Sequence, residues 1–316
     1  MNFDGRILVT GSSGLIGRAF IAQMKPTSQK LLRFDIRDTA SAASGDLRDH
    51  AALERAIADA VGIVHLGGVS RVVWGERSPD ECWAVNVDAT RNMLALALTS
   101  RRRPWFVYAS SREVYGQQIV FPVPESAQLM PLNTYARSKV AAEQLVLAAR
   151  EAGLATSIVR FSSVYGDADD HADRVVPAFA AAAACGGTMR IDGADCAFDF
   201  THVRDVAAGL MKISDVLCAG EKNLPTLHFV SGSRTSLREL AGLAADLAHR
   251  PTPISLASPR TFDVREFCGD PARAAALLGW RTTIALRTGL GELIADFSGR
   301  GQPAFRTAPN HIVQGR

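Results

Sequence analysis

The stretch Thr10-Gly11-Ser12-Ser13-Gly14-Leu15-Ile16-Gly17 constrains the fold of this chain more than any other. An apolar run, Ile7-Leu8-Val9, precedes it, and residues with helical spacing (Leu15, Ile16, Ala19, Phe20, Met24) follow. The pattern is a buried strand that passes through glycines into the start of a helix. At such a turn bare backbone N–H groups and the positive helix end can meet the phosphates of a dinucleotide, where a β-carbon would obstruct them. Gly11, Ser13, Gly14, Leu15, Ile16 and Gly17 are therefore candidate cofactor contacts. A strand–helix turn also needs glycine for its own geometry, so the triplet alone leaves the ligand open.

The same alternation continues along the chain. Leu31-Leu32-Arg33-Phe34-Asp35 reads as a second strand ending on a carboxylate. An acid there accepts hydrogen bonds from an adenosine ribose and repels a 2′-phosphate, which favours NAD, although Arg33 and Arg37 keep NADP open. Gly45-Asp46-Leu47-Arg48-Asp49 leads into a helix through Leu53, Ala56 and Ile57, with Asp46 as its cap, an adenine contact, or both. Val61 to Leu66 is the third strand, closed by Gly67-Gly68, whose small size lets backbone approach a cofactor. A long helix is expected from Asp80 to Ser100, then a strand Trp105–Ala109, a helix Tyr135–Arg150 and a strand Thr156–Arg160. The β-α-β alternation predicts an α/β fold: a Rossmann-type, doubly wound parallel sheet over residues 1–166.

From about Asp167 the pattern becomes irregular. Short strands (Met189–Ile191, Leu227–Val230) mix with helices near Arg174–Cys185, Val203–Ile213, Ser236–Ala248 and Pro271–Leu278. We read 167–298 as a smaller, mostly helical substrate lobe, with segments near 190–230 returning to the first domain. Residues 299–316 carry no periodicity and read as a flexible tail.

Charge and cysteine usage narrow the function class. A net charge of +3 is too small to argue for nucleic acid or a membrane surface, and Arg101-Arg102-Arg103 reads as a solvated helix end. No apolar run approaches the length of a membrane span, and no secretory leader is recognisable. The five cysteines are odd in number and scattered, which argues against a disulfide framework or a zinc site and suits a reducing cytoplasm. The expectation is a soluble cytoplasmic enzyme without a metal.

The chemistry points to Ser111, Tyr135 and Lys139. Tyr135 and Lys139 are four residues apart in a helical segment and share one face. A tyrosine hydroxyl ordinarily titrates near ~10 and is a poor base at neutral pH. A lysine ammonium beside it, helped by an oxidised nicotinamide, stabilises the phenolate. A serine at the end of the fourth strand can hold the substrate oxygen while its proton leaves.

With these residues in place the chain resembles the extended short-chain dehydrogenase/reductase family, the NAD-dependent sugar epimerases and dehydratases. The resemblance rests on Gly11-x-x-Gly14-x-x-Gly17, Asp35, Asp46-Leu47, His65-Leu66-Gly67-Gly68, Val85-Asn86-Val87, Ser110-Ser111 through Val114-Tyr115-Gly116, and Tyr135-x-x-x-Lys139. Arg160-Phe161-Ser162-Ser163-Val164-Tyr165-Gly166, Asp199-Phe200-Thr201-His202-Val203-x-Asp205 and Leu277-Leu278-Gly279-Trp280 extend it across nearly the whole chain. It implies a tightly held NAD, further cofactor contacts at Asp46, Leu47, Leu66, Gly67, Gly68, Tyr135, Lys139 and Phe161, and a homodimer. It also implies oxidation of a sugar hydroxyl as the first step.

Where the chain departs from the family pattern, the outcome stays open. Dehydratases of this type carry an acid and then a glutamate after the hydroxyl residue; this chain keeps Glu113 but has Arg112 for the acid. Arginine cannot deliver a proton at neutral pH, so Glu113 is a candidate catalytic residue or a structural carboxylate. Arg260-Thr261-Phe262-Asp263 resembles the family's Arg-x-x-Asp, which holds the diphosphate and ribose of a nucleotide sugar. Phe198 replaces a second family arginine and Ser163 replaces an asparagine, which moves the pocket toward a less anionic substrate unless Arg190 or Arg204 compensates. Substrate contacts are thus expected at Ser111, Ser163, Phe198, Arg260 and Asp263. A nucleotide-sugar epimerase, a 4,6-dehydratase, and a dehydrogenase or reductase of a free sugar or sugar acid all remain.

Overall fold

Strand β1 (Arg6–Thr10) is buried on both faces: Ile7 and Val9 point to one side of the sheet and Leu8 to the other. The computed structural model describes residues 5–24, 31–38, 44–222, 224–248, 250–259 and 264–300. In it β2 (Leu31–Phe34), β1, β3 (Ala60–His65), β4 (Trp105–Ser111) and β5 (Thr156–Phe161) lie side by side in that order, all parallel. The chain steps from β1 outward to β2, then crosses to β3 on the other side. This reversal opens a crevice at the carboxyl ends of β1 and β3, the usual ligand position in open α/β sheets.

Helices α1 (Leu15–Gln23), α2 (His50–Ala58), α5 (Ala89–Thr99) and α6 (Thr134–Glu151) cover the sheet. On the face of Leu8, α2, α5 and α6 bury Leu53, Ile57, Met93, Leu94, Ala142 and Val146 against Phe34, Ile63, Phe106 and Ile158. The predicted helix from Asp80 to Ser100 runs without a break from Pro79 to Thr99 but changes its winding inside. It comprises α4 (Pro79–Trp83), a π-helical turn at Ala84–Asp88, and α5, and a separate α3 (Val72–Arg77) precedes it. The cause is Asn86. Its amide accepts from Val69 N–H at 2.8 Å and donates to Val69 O at 3.1 Å and Ser138 Oγ at 2.9 Å, tying the turn to the loop after β3 and to α6. A widened turn of this kind presents a side chain that a regular helix would aim elsewhere.

The second lobe holds more strand than its pattern suggests. α7 (Val175–Cys185), α9 (Leu237–Leu247) and α11 (Leu286–Gly299) enclose Phe179, Leu240, Leu290 and Phe297. Beside them β6 (Ser163–Tyr165), β8 (Ala197–His202) and β10 (Arg234–Ser236) form one small sheet, and β7 (Met189–Asp192) pairs with β11 (Ile254–Ala257) in another. Strands this short carry too few alternations to be read without their partners. The segment after β8 returns to the main sheet: α8 (Val203–Cys218) packs on α1 over the face of Ile7 and Val9, and β9 (Leu227–Phe229) pairs with β5 as the sixth parallel strand. Following α10 (Ala272–Leu278), Trp280 stacks on Phe229 at 4.4 Å and donates to Asp205 O at 2.8 Å. α11 runs to Gly299, where the tail was expected to begin; residues 301–316 lie outside the described residues. Among the described residues, no helix is long and apolar enough to cross a membrane.

Two fully enclosed histidines make stability depend on pH. His65 bridges Thr10 Oγ1 at 2.7 Å and Thr90 Oγ1 at 3.0 Å, and His228 meets Tyr115 OH. Burial lowers both to about 3 from the usual 6.5, with nearby Lys139 acting on His65 and Arg160 on His228 in the same direction. Their folded pKa lies below the unfolded one, so the unfolded chain binds more protons between the two values. This stability is complete above about 6.5 and declines as pH falls toward 3, by a few kcal/mol on the order of magnitude. The urea midpoint should drop from pH 7.5 to pH 5, and a His65→Gln/His228→Gln double variant should flatten that slope. An unchanged slope in the double variant contradicts the assignment.

Candidate active site

The crevice between β1 and β3 is lined by backbone. Gly11 has φ 65°, and a Cβ on it would stand 2.7 Å from Gly67 N. A Cβ on Gly17 would stand 2.3 Å from Gly11 O, so α1 starts this close to the turn only because both positions are glycine. Ser13 N–H donates to Asp35 Oδ2 at 2.9 Å, and Asp35 Oδ1 accepts from Arg37 N at 2.9 Å. Leu15 and Ile16 open α1, and Leu47 packs beneath Gly67, its Cδ1 2.9 Å from where a Cβ there would be. Leu66 N–H is held by Thr10 O, and Gly68 abuts Asn86, whose Oδ1 is 2.6 Å from the corresponding Cβ position.

These residues fit a dinucleotide. Ser12 Oγ lies buried in the turn without a hydrogen-bond partner among the described residues, the cradle has no room for side chains, and the Arg37 guanidinium approaches Gly14. Asp46 does not cap α2. It binds Arg48 through its carboxylate, which holds it below its usual range, and Asp49 accepts the cap bond from Ala52 N at 3.1 Å.

The second set of residues meets at the carboxyl end of β4. Asn133 caps α6 by accepting from Ala136 N at 2.8 Å, which fixes the first turn that carries Tyr135. Burial pushes the Tyr135 phenol up to about 12, and the nearby Ser111 hydroxyl pulls the other way. Lys139 is buried one turn along. Its Nζ donates to Ala109 O at 2.9 Å and lies 4.9 Å from the Tyr108 ring centroid and 5.8 Å from that of Tyr135. Burial lowers Lys139 to about 8, while the Cys82 thiol and Glu143 carboxylate oppose the shift. An alcohol oxygen set between Ser111 and Tyr135 can be held by one hydroxyl and lose its proton to the other.

Glu113 is committed elsewhere. Its Oε1 lies 3.1 Å from Arg112 Nη2, and its Oε2 accepts from Asn133 Nδ2 at 3.3 Å. The Arg112 guanidinium lies over the Phe198 ring at 4.3 Å, so Phe198 meets a cation from the 3-10 turn that follows β4. Ser163 opens β6 opposite Phe200. Phe161 ends β5 with its side chain buried near Phe229 at 6.2 Å, so its ring belongs to the core beneath the site. Arg190 and Arg204 do not supply the missing cation: they pair with Asp192 and Glu292 at exposed positions. Arg260 and Asp263 lie outside the described residues.

Sequence reasoning missed the support beneath the site. Arg160 joins Glu143 at 2.6 Å and Tyr115 OH at 2.6 Å, and Glu143 also accepts from Ser110 Oγ. A charged residue inside an otherwise apolar β5 was the available signal, since such a residue needs a buried partner. Asp199 is a second anchor: it receives Ser231 N at 2.8 Å, Gly232 N at 2.7 Å and Ser162 Oγ at 3.2 Å, and burial raises its pKa.

A six-stranded parallel sheet with a glycine cradle at its switch point and a Ser–Tyr–Lys cluster beside it defines a Rossmann-type, dinucleotide-fold protein. The chain belongs to the NAD dependent epimerase/dehydratase family, which it matches over residues 7–223. It is similar to a UDP-glucose 4-epimerase of Mycolicibacterium smegmatis, with 26% identity over 94% of this chain and 100% of the relative. It is also similar to a GDP-6-deoxy-D-mannose reductase of Pseudomonas aeruginosa, with 28% identity over 93% and 98%. Among solved structures it resembles MoeE5 in complex with UDP-glucuronic acid and NAD, with a TM-score of 0.83, 29% identity, and 94% and 99% of the two chains covered.

Proposed function

We propose that the chain is an NAD-dependent nucleotide-sugar epimerase that works through a transient 4-keto sugar. The observation that carries this reading is Tyr135 on α6 with the Lys139 ammonium 5.8 Å from its ring and Ser111 ending β4 beside it. In this reading Gly11, Ser13, Gly14, Leu15, Ile16 and Gly17 hold the pyrophosphate and Asp35 the adenosine ribose. Asp46, Leu47, Leu66, Gly67 and Gly68 complete the pocket wall, and Phe161 packs beneath it. Bound NAD supplies the hydride acceptor and a positive ring near the phenol.

Tyr135 takes the proton from the sugar hydroxyl, and Ser111 fixes the oxygen. Burial keeps Tyr135 protonated; in this reading the Lys139 ammonium, 5.8 Å from its ring, favours the phenolate. Once the keto sugar has rotated, hydride returning from the reduced cofactor would enter C4 from the opposite face. Tyr135 would give its proton back to the C4 oxygen, which yields the 4-epimer. A dehydratase needs a free acid–base pair near the sugar's C5 and C6. Glu113, with one oxygen on Arg112 and the other on Asn133, is poorly placed for that work.

A panel of nucleotide sugars tests the reading. The protein should interconvert 4-epimers without net NADH. Stoichiometric NADH would move the assignment to a dehydrogenase, and solvent deuterium at C5 would move it to a dehydratase.

A further inference from the structure

Arg112 is a buried cation that the proposed chemistry leaves unused. It directly follows Ser111 and is only 14% exposed. Its guanidinium lies 4.3 Å from the Phe198 centroid and 6.0 Å from that of Phe267. Nη2 contacts Glu113, while Nη1 is buried without a hydrogen-bond partner among the described residues. An aromatic face holds a guanidinium at stacking height and leaves its N–H edge free for partners in its own plane. A guanidinium is charged throughout the physiological range, and a buried donor left unpaired is unfavourable. Of the cations near Tyr135, Lys139 donates to Ala109 O at 2.9 Å, and Arg174 Nη1 is engaged by Asp170 at 3.3 Å and Val164 O at 3.5 Å. Arg112, next to Ser111, keeps an open buried donor among the described residues.

We infer that Arg112 is a specificity-determining residue that recognises an anionic oxygen pair of the substrate. Two sources carry that chemistry: a carboxylate on the sugar or the diphosphate that joins it to the nucleotide. The planar fork matches either in a two-point contact. Phe198 supplies the platform from β8, and Glu113 steers the guanidinium by holding one end of the fork. The inference rests on the proposed function for its substrate class, and it is tested by binding rather than turnover so that the two fail separately.

The test is calorimetric titration of the NAD-loaded protein and its Arg112→Met and Arg112→Lys variants with UDP-glucuronic acid, UDP-glucose, UDP, free glucuronate and free glucose. If the carboxylate is the partner, wild type prefers UDP-glucuronic acid over UDP-glucose by about tenfold or more, and Arg112→Met loses that preference while UDP-glucose binding holds. If the diphosphate is the partner, Arg112→Met weakens all three nucleotides alike, again by about tenfold or more. Arg112→Lys, which keeps the charge but not the fork, falls between. Unchanged dissociation constants in the Met variant overturn the inference. Should that variant fail to fold, as judged by circular dichroism and NAD binding, Lys variant constants equal to wild type overturn it. If wild type binds none of the three nucleotides, the proposed function fails. The inference is then decided on glucuronate against glucose: a preference that needs Arg112 supports it, and no preference overturns it.

Discussion

A Tyr135→Phe variant should bind NAD as wild type does and lose turnover by about 10²- to 10⁴-fold, the usual share of a positioned proton-transfer group. The substitution deletes one oxygen and keeps the ring. The ring sits 8% exposed at the start of α6, with Gly75 close against its Cβ, so packing is preserved. Ser111 loses the nearby hydroxyl but keeps the Glu113 N–H contact at 3.2 Å, so the end of β4 is not released. Binding is read from cofactor fluorescence and turnover from steady-state kinetics on the same preparation. Activity within tenfold of wild type would exclude Tyr135 as the proton acceptor. Loss of NAD binding together with activity would mean that the phenol is a cofactor ligand first.

The largest effect on stability is expected from Arg160→Met. Arg160 Nε and Nη2 satisfy Glu143 at 2.9 and 2.6 Å, and Nη1 reaches Tyr115 OH and Glu125 O. Glu143 is 1% exposed, so removing the guanidinium strands a carboxylate inside the sheet–helix interface. Breaking a buried pair from one side typically costs about 3–5 kcal/mol, mostly because of the charge left behind. Urea denaturation measures this directly. The double variant Arg160→Met/Glu143→Met should recover a good part of the loss, because it removes both charges. A single variant within 1 kcal/mol of wild type, about the worth of an ordinary exposed pair, would contradict the account. The loss should extend to rate. Glu143 lies one turn beyond Lys139 on α6, and its partner Ser110 is bonded to Ser111, so the network braces the site from beneath.

How much of this was legible in the sequence depends on how local each feature is. The glycine turn, the apolar runs of β1, β3, β4 and β5, and the Tyr135–Lys139 spacing are set by residues close in sequence, and their placement follows from backbone geometry alone. The π-helical turn at Asn86 was not legible, because the groups that shape it, Val69 and Ser138, come from other elements. The same applies to the strands of the second lobe, whose partners are distant in the chain. Asp46 was a plausible cap by residue type. Asp49, three residues on, takes that place, and Asp46 turns to Arg48 instead. Phe198 was read as the loss of a cation. Its contact with Arg112 turns that loss into a relocation, visible only when the turn after β4 meets β8.

The central claim is that Ser111, Tyr135 and Lys139 support a reversible oxidation at C4 of a nucleotide sugar. The most direct measurement supplies the protein with NAD and UDP-glucose deuterated at C4, then follows the label by NMR while absorbance at 340 nm is recorded. The account predicts UDP-galactose that retains its deuterium at C4, with no net rise at 340 nm. Label lost to solvent, or absorbance rising in step with product, would contradict it.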